Sequence, residues 1–181
     1  ILHQKRKWLT GAPPDPNSDI AEQFILGHCA GVGEPLSEKI VRGAMAARVN
    51  VLATGLTGAR PVVAEKLIEM LNKNIHPRVP SQGSVGAAGD LAPMAHIART
   101  LCGYGDAIDN YEPLVPTGKE ALALINGVSL SSAIAAIAIE RSKKVFQAAI
   151  WSAALTMESI HAQSLCLNSQ ALKSRRHPEV E

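Results

Sequence analysis

The longest stretch without a helix-breaking residue places the strongest constraint on the fold of this chain. Residues 128–164 contain neither proline nor glycine, the two residues that helix interiors tolerate least. At a rise of ~1.5 Å per residue, a helix over this stretch extends roughly 50 Å. Its first turns are apolar on nearly every face, which is typical of a helix surrounded by others. We therefore expect an architecture of long helices packed side by side.

Composition leads to the same fold class. The chain has 181 residues, enough for one domain with a substantial core. Hydrophobic residues make up 46% of it, but aromatic residues only 3%. A core built from Ala, Leu, Ile and Val favours closely packed helices over a β-sandwich. The sequence therefore predicts a mostly α protein, a bundle of long helices interrupted by one glycine-rich loop.

The sequence divides into three predicted segments. Residues 1–19 are polar and end in the turn-rich "GAPPDPN", so they are predicted to be an N-terminal connector. Residues 20–164 form the predicted helical core, and residues 165–181 form a polar C-terminal segment. Because the chain begins at Ile1 and stops among polar residues, we expect it to be part of a longer protein.

Six helices are predicted in the core from apolar periodicity and from signals at their ends. Ser18 or Asp19 is expected to cap the first, Pro35 to begin the second, and Asp90 to cap the fourth. Residues 75–89 are expected to form a loop, and the irregular segment 104–118 has room for a short strand. The predicted helices cover residues 18–31, 35–55, 60–74, 91–103, 119–126 and 128–164.

Charge and cysteine usage argue against several classes of function. The net charge of +2 is scattered along the chain, so nucleic acid is not an expected partner. No membrane span is expected, because no run of about 18 apolar, uncharged residues stands out. The distant cysteines, without a CxxC pair, suit a reducing, cytoplasmic compartment. No metal site is expected from the histidines outside the motifs discussed below, which lack ligand spacing (His3, His76, His96, His161 and His177).

Residues 82–96, "QGSVGAAGDLAPMAH", combine closely spaced glycines and alanines with the start of an apolar run. One interpretation is a tight turn, because glycine adopts positive φ at little cost. A second is an anion site at the start of a helix. The second is the weaker, because the segment has no GxxxxGK[ST], no lysine and no preceding apolar strand.

Five segments of the sequence resemble the histidine and aromatic amino acid ammonia-lyases. "GSVGAAGDLAPMAH" is similar to that family's signature GSVGASGDLAPLAH, and "HCAGVGEPL" to its SHAAGVGEPL. Three further matches follow the family order: "RVNVLATGLTGARP", "LNKNIHPRVPSQ" and "KEALALING". The resemblance extends from about residue 20 to 160. It implies a long-helix bundle of the ammonia-lyase/aspartase-like type with a glycine-rich active-site loop.

In that family an Ala-Ser-Gly triad cyclises and loses water to form 4-methylidene-imidazol-5-one (MIO), an electrophile. The glycine nitrogen attacks the alanine carbonyl, so the backbone must bend tightly, and small residues permit this bend. The substrate amine adds to the methylidene carbon, a base removes the β-proton, and an unsaturated acid and ammonia leave. The resemblance implies an L-amino acid substrate, for example histidine converted to urocanate, and a homotetramer.

The triad of this chain is Ala87-Ala88-Gly89, which departs from the family pattern. A methyl side chain has no hydroxyl to lose, so Ala88 predicts an inactive site in which MIO is not formable. Three explanations are open: a deliberate replacement that traps the precursor, a natural paralogue with lost or changed activity, or an alanine standing for a modified residue. Further departures at Ala21, Gly27 and Val128-Ser129 support the paralogue.

Two further positions carry over from the family motifs. His28 lies where histidine-specific members have histidine, so the resemblance favours a substrate with an imidazole ring. His28 is then expected to orient that substrate or to relay a proton. Asn126 lies where the family's asparagine contacts MIO and the substrate amine. Without the motifs, His28 is a satisfied histidine on a helix face and Asn126 part of an Asn-Gly turn. Asp90 is expected only to cap and fix the loop.

Three functions are therefore open. The first is a fragment of a histidine-type ammonia-lyase, and the second is a non-catalytic relative that acts as a helical scaffold or assembly subunit. An aminomutase, which uses MIO and returns ammonia to the β-carbon, is the third. In the family a tyrosine base lies upstream of the matched region and a carboxylate-binding arginine lies downstream of it, so we expect this piece alone to be incompetent.

Overall fold

The computed structural model describes residues 20–104 and 110–174. The predicted connector, with the caps Ser18 and Asp19, lies outside these residues, as does the end of the predicted C-terminal segment. The chain divides into two compact units, Ile1–Ile137 and Ala138–Glu181. The boundary falls within the longest helix of the described residues.

Helices dominate the described residues, which confirms the predicted fold class. Seven α-helices and one 3₁₀ helix occur there, together with two short strands. The elements are α1 (Ile20–His28), β1 (Val32–Pro35), α2 (Glu38–Ala53), α3 (Pro61–Asn72), β2 (Pro80–Gln82), α4 (Leu91–Leu101), α5 (Gly118–Ile125), α6 (Ser129–Ser159), the 3₁₀ helix (Ser164–Leu167) and α7 (Ser169–Lys173).

The first unit has a core of aliphatic side chains and methionine. Helix α2 packs against α3, while α1, α4 and α5 pack against one another. Among the described residues, Tyr111 is the only aromatic side chain in the buried core, and it is 8% exposed. The low aromatic content therefore produces the close helix packing that was expected. The largest fully buried side chains include Ile25, Met45, Leu67, Met70, Met94, Leu101 and Ile125.

The predicted start of the second helix at Pro35 is wrong. Residues Val32–Pro35 form β1, which pairs antiparallel with β2, and the helix begins only at Glu38. Leu36 donates its backbone N–H to the carbonyl of Val79 at 2.8 Å, which extends this contact. Pro35 has no N–H to donate and is accommodated at the end of a strand. The predicted loop 75–89 thus contains a strand, whereas the described part of segment 104–118 contains none.

Helix α6 is confirmed as the longest helix among the described residues. It has 31 residues and ends at Ser159, followed by His161 in a left-handed conformation (φ 50°). Its buried residues, Ser129, Leu130 and Ala133, all lie in its first two turns. Large apolar side chains along α6 are exposed: Ile134, Ile139, Val145, Phe146, Ile150, Trp151 and Leu155.

One helical stretch of the described residues, Lys119–Ser159, is long and apolar enough to cross a membrane by length and composition. The expectation that no segment reaches this length and apolarity was wrong. An apolar helix of this kind is equally typical of the interior of a large helical bundle. A membrane-spanning helix and a helix inside a large bundle share this length and composition, so neither location follows from them.

Candidate functional site

The packing of α1, α4 and α5 brings the glycine-rich loop to the end of α5. The loop enters α4, and its last residues lie against the turn that follows α5. The Asp90 backbone N–H donates to the Gly127 carbonyl at 2.8 Å. This hydrogen bond connects residues that are 37 positions apart in sequence and places the triad 87–89 beside the Asn126–Gly127 turn.

Gly89 has the most restricted backbone position in the loop. Its φ is +110°, a conformation that side chains with a Cβ rarely adopt. A Cβ on Gly89 would lie 2.5 Å from the Gly127 nitrogen and 2.6 Å from the Gly127 oxygen. The loop and the turn thus meet backbone to backbone, and only glycine fits at this point.

Asp90 occupies the residue before α4, but its side chain does not cap that helix. The carboxylate is 1% exposed. Its Oδ2 accepts the backbone N–H of Ser131 at 2.8 Å, and its Oδ1 accepts the hydroxyls of Ser131 at 2.8 Å and Ser84 at 2.9 Å. Because Ser131 lies in the first turn of α6, Asp90 caps α6 instead, where a carboxylate also complements the helix dipole. The predicted loop-fixing role agrees with its bond to Ser84.

Ala87 and Ala88 are exposed, in contrast to the buried residues Gly89 and Asp90 that follow them. The methyl group of Ala88 carries no acid, base or nucleophile. The nearest hydroxyl in the loop, Ser84, donates to Asp90. The loop therefore has the backbone of a tight bend without a reactive side chain at its centre.

His28 ends α1 and is half-buried. Its Nδ1 lies 2.7 Å from the Phe24 carbonyl oxygen, and its ring is 4.6 Å from the Phe24 ring, centroid to centroid. Since a carbonyl only accepts, Nδ1 must carry the proton. In the neutral ring Nε2 therefore holds the lone pair and is able to accept a hydrogen bond. Among the described residues, the side-chain hydrogen bond of His28 is to Phe24 and not to the triad.

Asn126 ends α5 and begins the turn. Its backbone N–H donates to the Leu122 carbonyl at 2.9 Å, as expected for a helix-ending residue. Its side chain is exposed and makes no hydrogen bond to the described residues. The amide is consequently available to an external ligand. Both interpretations of Asn126, the turn and the contact group, are compatible with this arrangement.

Arg48 was missed by the sequence analysis. It lies on α2 among the buried residues of that helix and is only 2% exposed. Its Nη1 donates to the Ala123 carbonyl of α5 at 3.3 Å. Burial lowers the pKa of Arg48, and the charge of Asp90 opposes this effect. The sequence signal for its burial is helical spacing: Arg48 falls on the same face of α2 as the buried apolar residues Val41, Ala44, Met45 and Leu52.

A second buried acid fixes the start of α5. Glu120 is 2% exposed, and its two oxygens accept Nε and Nη2 of Arg60 at 2.7 and 2.8 Å. It also accepts the backbone N–H groups of Arg60 and Thr117, at 3.0 and 2.9 Å. The hydrogen bonds from Arg60 lower the pKa of Glu120 to about 2. One carboxylate thereby joins the starts of α3 and α5.

The described residues offer no alternative reactive centre of a familiar kind. Within residues 20–104 and 110–174, no group of three or more His, Cys, Asp or Glu side chains could hold a metal ion. Burial raises the pKa of the Cys29 thiol to about 11, so the thiol is protonated near neutral pH. Cys102 is buried. The candidate site is therefore the loop, the turn and the residues that support them.

Comparison with known proteins was made on sequence and on structure. Residues 10–181 match the sequence profile of the aromatic amino acid lyase family. The histidine ammonia-lyase of Alkaliphilus metalliredigens is 40% identical over 159 residues, covering 80% of this chain and 31% of that protein. That of Treponema denticola is 37% identical over 177 residues, covering 90% and 35%.

Solved structures agree with this result. The histidine ammonia-lyase of Trypanosoma cruzi matches with a TM-score of 0.81 and 33% identity, over 92% of this chain and 35% of that chain. Tyrosine aminomutase from Streptomyces globisporus matches with a TM-score of 0.57 and 38% identity, over 62% and 24%. The chain spans about a third of the length of the curated relatives it matches. By the match over nearly its whole length, it belongs to the aromatic amino acid lyase family.

Proposed function

We propose that this chain is part of a subunit of a histidine ammonia-lyase-type protein, whose reaction is the non-oxidative removal of ammonia from an L-amino acid. One observation carries the proposal. Gly89 and Gly127 meet backbone to backbone, which brings the last residue of the family's triad position, Ala87-Ala88-Gly89, against the residue that follows Asn126. The partners proposed with it are a small amino acid substrate and further copies of the subunit in a cytoplasmic homotetramer.

The fit to MIO is good for the backbone and poor for the side chain. The bend at Gly89 and the absence of side-chain obstruction suit ring closure of residues 87–89. Ala88 has no hydroxyl to eliminate, so the exocyclic carbon of MIO does not form from this sequence. We therefore propose that this chain, with alanine at position 88, is inactive.

His28 and Asn126 are the proposed substrate-binding groups. The hydrogen bond to Phe24 holds the His28 ring with Nε2 as its basic nitrogen, which suits a partner with an N–H donor such as an imidazole. The exposed amide of Asn126 has both a donor and an acceptor to offer to the substrate amine. Both assignments rest on the family motifs together with these contacts.

A second candidate is a non-catalytic relative that acts as a helical scaffold, and Ala88 is the observation that favours it. An aminomutase is a third, supported by the structural match to tyrosine aminomutase. The three differ in chemistry, because only the lyase releases a free unsaturated acid and only the scaffold needs no reactive group.

The deciding experiment restores serine at position 88 in the full-length protein. Ala88→Ser is expected to lose two waters by intact mass, to absorb in the near ultraviolet and to release urocanate from histidine. The unaltered protein, measured in parallel, is expected to do none of these. A folded Ala88→Ser tetramer without mass loss or product would support the scaffold, whereas a β-amino acid product would support the aminomutase.

A further inference from the structure

The guanidinium of Arg48 is the most unusual group beneath the loop. It is buried within α2, yet within the described residues neither Nε nor Nη2 has a hydrogen-bond partner. The hydrogen bond from Nη1 to the Ala123 carbonyl is long at 3.3 Å. Burying a charged group with unpaired donors is costly. This cost suggests that Arg48 has a role besides the packing of α2.

Arg48 lies directly against Gly127. A Cβ on Gly127 would overlap Nη2 of Arg48 and would lie 3.1 Å from both Cζ and Nη1. The φ of Gly127 is +138°, so this residue, like Gly89, is restricted to glycine. The guanidinium occupies the space that a side chain on Gly127 would take, and it thereby supports the turn.

Three layers follow from these contacts. Arg48 packs on Gly127, and Gly127 packs on Gly89 and accepts the N–H of Asp90 at 2.8 Å. The negative charge of Asp90 favours the charged form of Arg48. Any displacement of the guanidinium therefore changes the position of Gly127, and with it the bend at Gly89.

We infer that Arg48 is a positioning residue, which holds the Asn126–Gly127 turn against Gly89 and so keeps the loop 87–89 in the bend that ring closure needs. This inference rests on the proposed function where it concerns the ring. The inference that Arg48 holds the loop geometry does not depend on the ring, so it applies to this chain with alanine at position 88.

The first test measures loop geometry in the full-length protein with Ala88 unchanged. Arg48→Met keeps much of the side-chain volume and removes the charge and the donors. We expect hydrogen exchange at the Asp90 amide to become about tenfold faster relative to the Ile97 amide in the middle of α4. Normalising to Ile97 separates this effect from general destabilisation. An unchanged ratio overturns the inference.

Arg42→Met is the matched control, since Arg42 lies on the same helix and donates to the Leu71 carbonyl at 3.0 Å. Its hydrogen bonds reach Leu71 of α3 and the following residues Asn74 and His76, not the triad 87–89 or the Asn126–Gly127 turn. It is expected to leave the Asp90 to Ile97 ratio unchanged, and an equal effect of both variants overturns the inference. Arg48→Lys restores the charge and should recover part of the protection; no recovery means that the charge does not hold the turn.

The second test measures ring formation in the Ala88→Ser background. The fraction of protein that has lost two waters, and the near-ultraviolet absorbance, should fall several-fold on adding Arg48→Met and stay constant on adding Arg42→Met. A full yield of ring with Arg48→Met overturns the role in ring closure. If Ala88→Ser alone forms no ring, the proposed function fails, while the exchange experiment still decides the role of Arg48 in the loop.

Discussion

Replacement of Asp90 is expected to destabilise the protein more than replacement of any one of its partners. The carboxylate is 1% exposed and accepts three hydrogen bonds, two from Ser131 and one from Ser84. In Asp90→Ala the two hydroxyls can rotate to other acceptors, but the backbone N–H of Ser131 cannot. Asp90→Ala also removes a negative charge that favours the charged form of the buried Arg48.

The magnitude follows from these contacts. A hydrogen bond to a charged group contributes about 1.5–3 kcal/mol, and loss of a helix cap costs about 1 kcal/mol. Allowing for hydroxyl rotation, Asp90→Ala should lower the free energy of unfolding by about 3–4 kcal/mol. Asp90→Asn, which keeps the shape and one acceptor, should cost about 1–2 kcal/mol. Ser84→Ala, which removes a single hydroxyl, should cost about 1 kcal/mol.

The assay is urea unfolding at neutral pH, followed by circular dichroism at the helix band. The expected order of stability is wild type, Ser84→Ala, Asp90→Asn and then Asp90→Ala. Equal stabilities of Asp90→Ala and Ser84→Ala would refute the reasoning, because they would mean that the contacts of Asp90 with Ser131 contribute nothing. A change in the urea dependence would instead indicate an altered unfolded or native state.

Two further predictions concern neighbouring positions. Glu120→Gln should lower stability by about 1–2 kcal/mol, a modest value because its partner Arg60 is 54% exposed. Folding lowers the pKa of Glu120 from 4.5 to about 2, so the carboxylate's contribution to stability is complete above pH 4.5 and is lost as the pH falls through about 2. The unfolding free energies of the wild type and Glu120→Gln, measured by urea titration from pH 7 to pH 2, should therefore converge at low pH. A difference that stays constant with pH would contradict this. Gly89→Ala should lower the free energy of unfolding by more than about 2 kcal/mol, because the added Cβ would overlap the Gly127 backbone. Gly86→Ala is the control: its φ is +66°, but nothing lies within 4 Å of the added Cβ, so it should cost about 1 kcal/mol. Equal shifts in melting temperature would contradict the contact between Gly89 and Gly127.

Sequence motifs predict candidate site residues at the triad position, His28 and Asn126 from their neighbours in the chain, and the roles of these residues stay predictions. The partners of Asp90 were not predictable in the same way. An aspartate before a helix usually caps that helix, but this one binds Ser131, 41 residues further along the chain. Arg48 was overlooked because an arginine on a helix is usually exposed, and only packing against Gly127 reveals its position.

The sequence by itself determined most of the helices and the location of the family motif, because a helix is built from hydrogen bonds between residues four positions apart. The absence of proline and glycine from residues 128–164 was sufficient to predict α6. Only the tertiary structure decided that Val32–Pro35 pairs with Pro80–Gln82, that Asp90 caps α6, and that Arg48 supports Gly127. Each of these contacts joins distant segments, and its geometry depends on how whole helices pack rather than on the residues beside it.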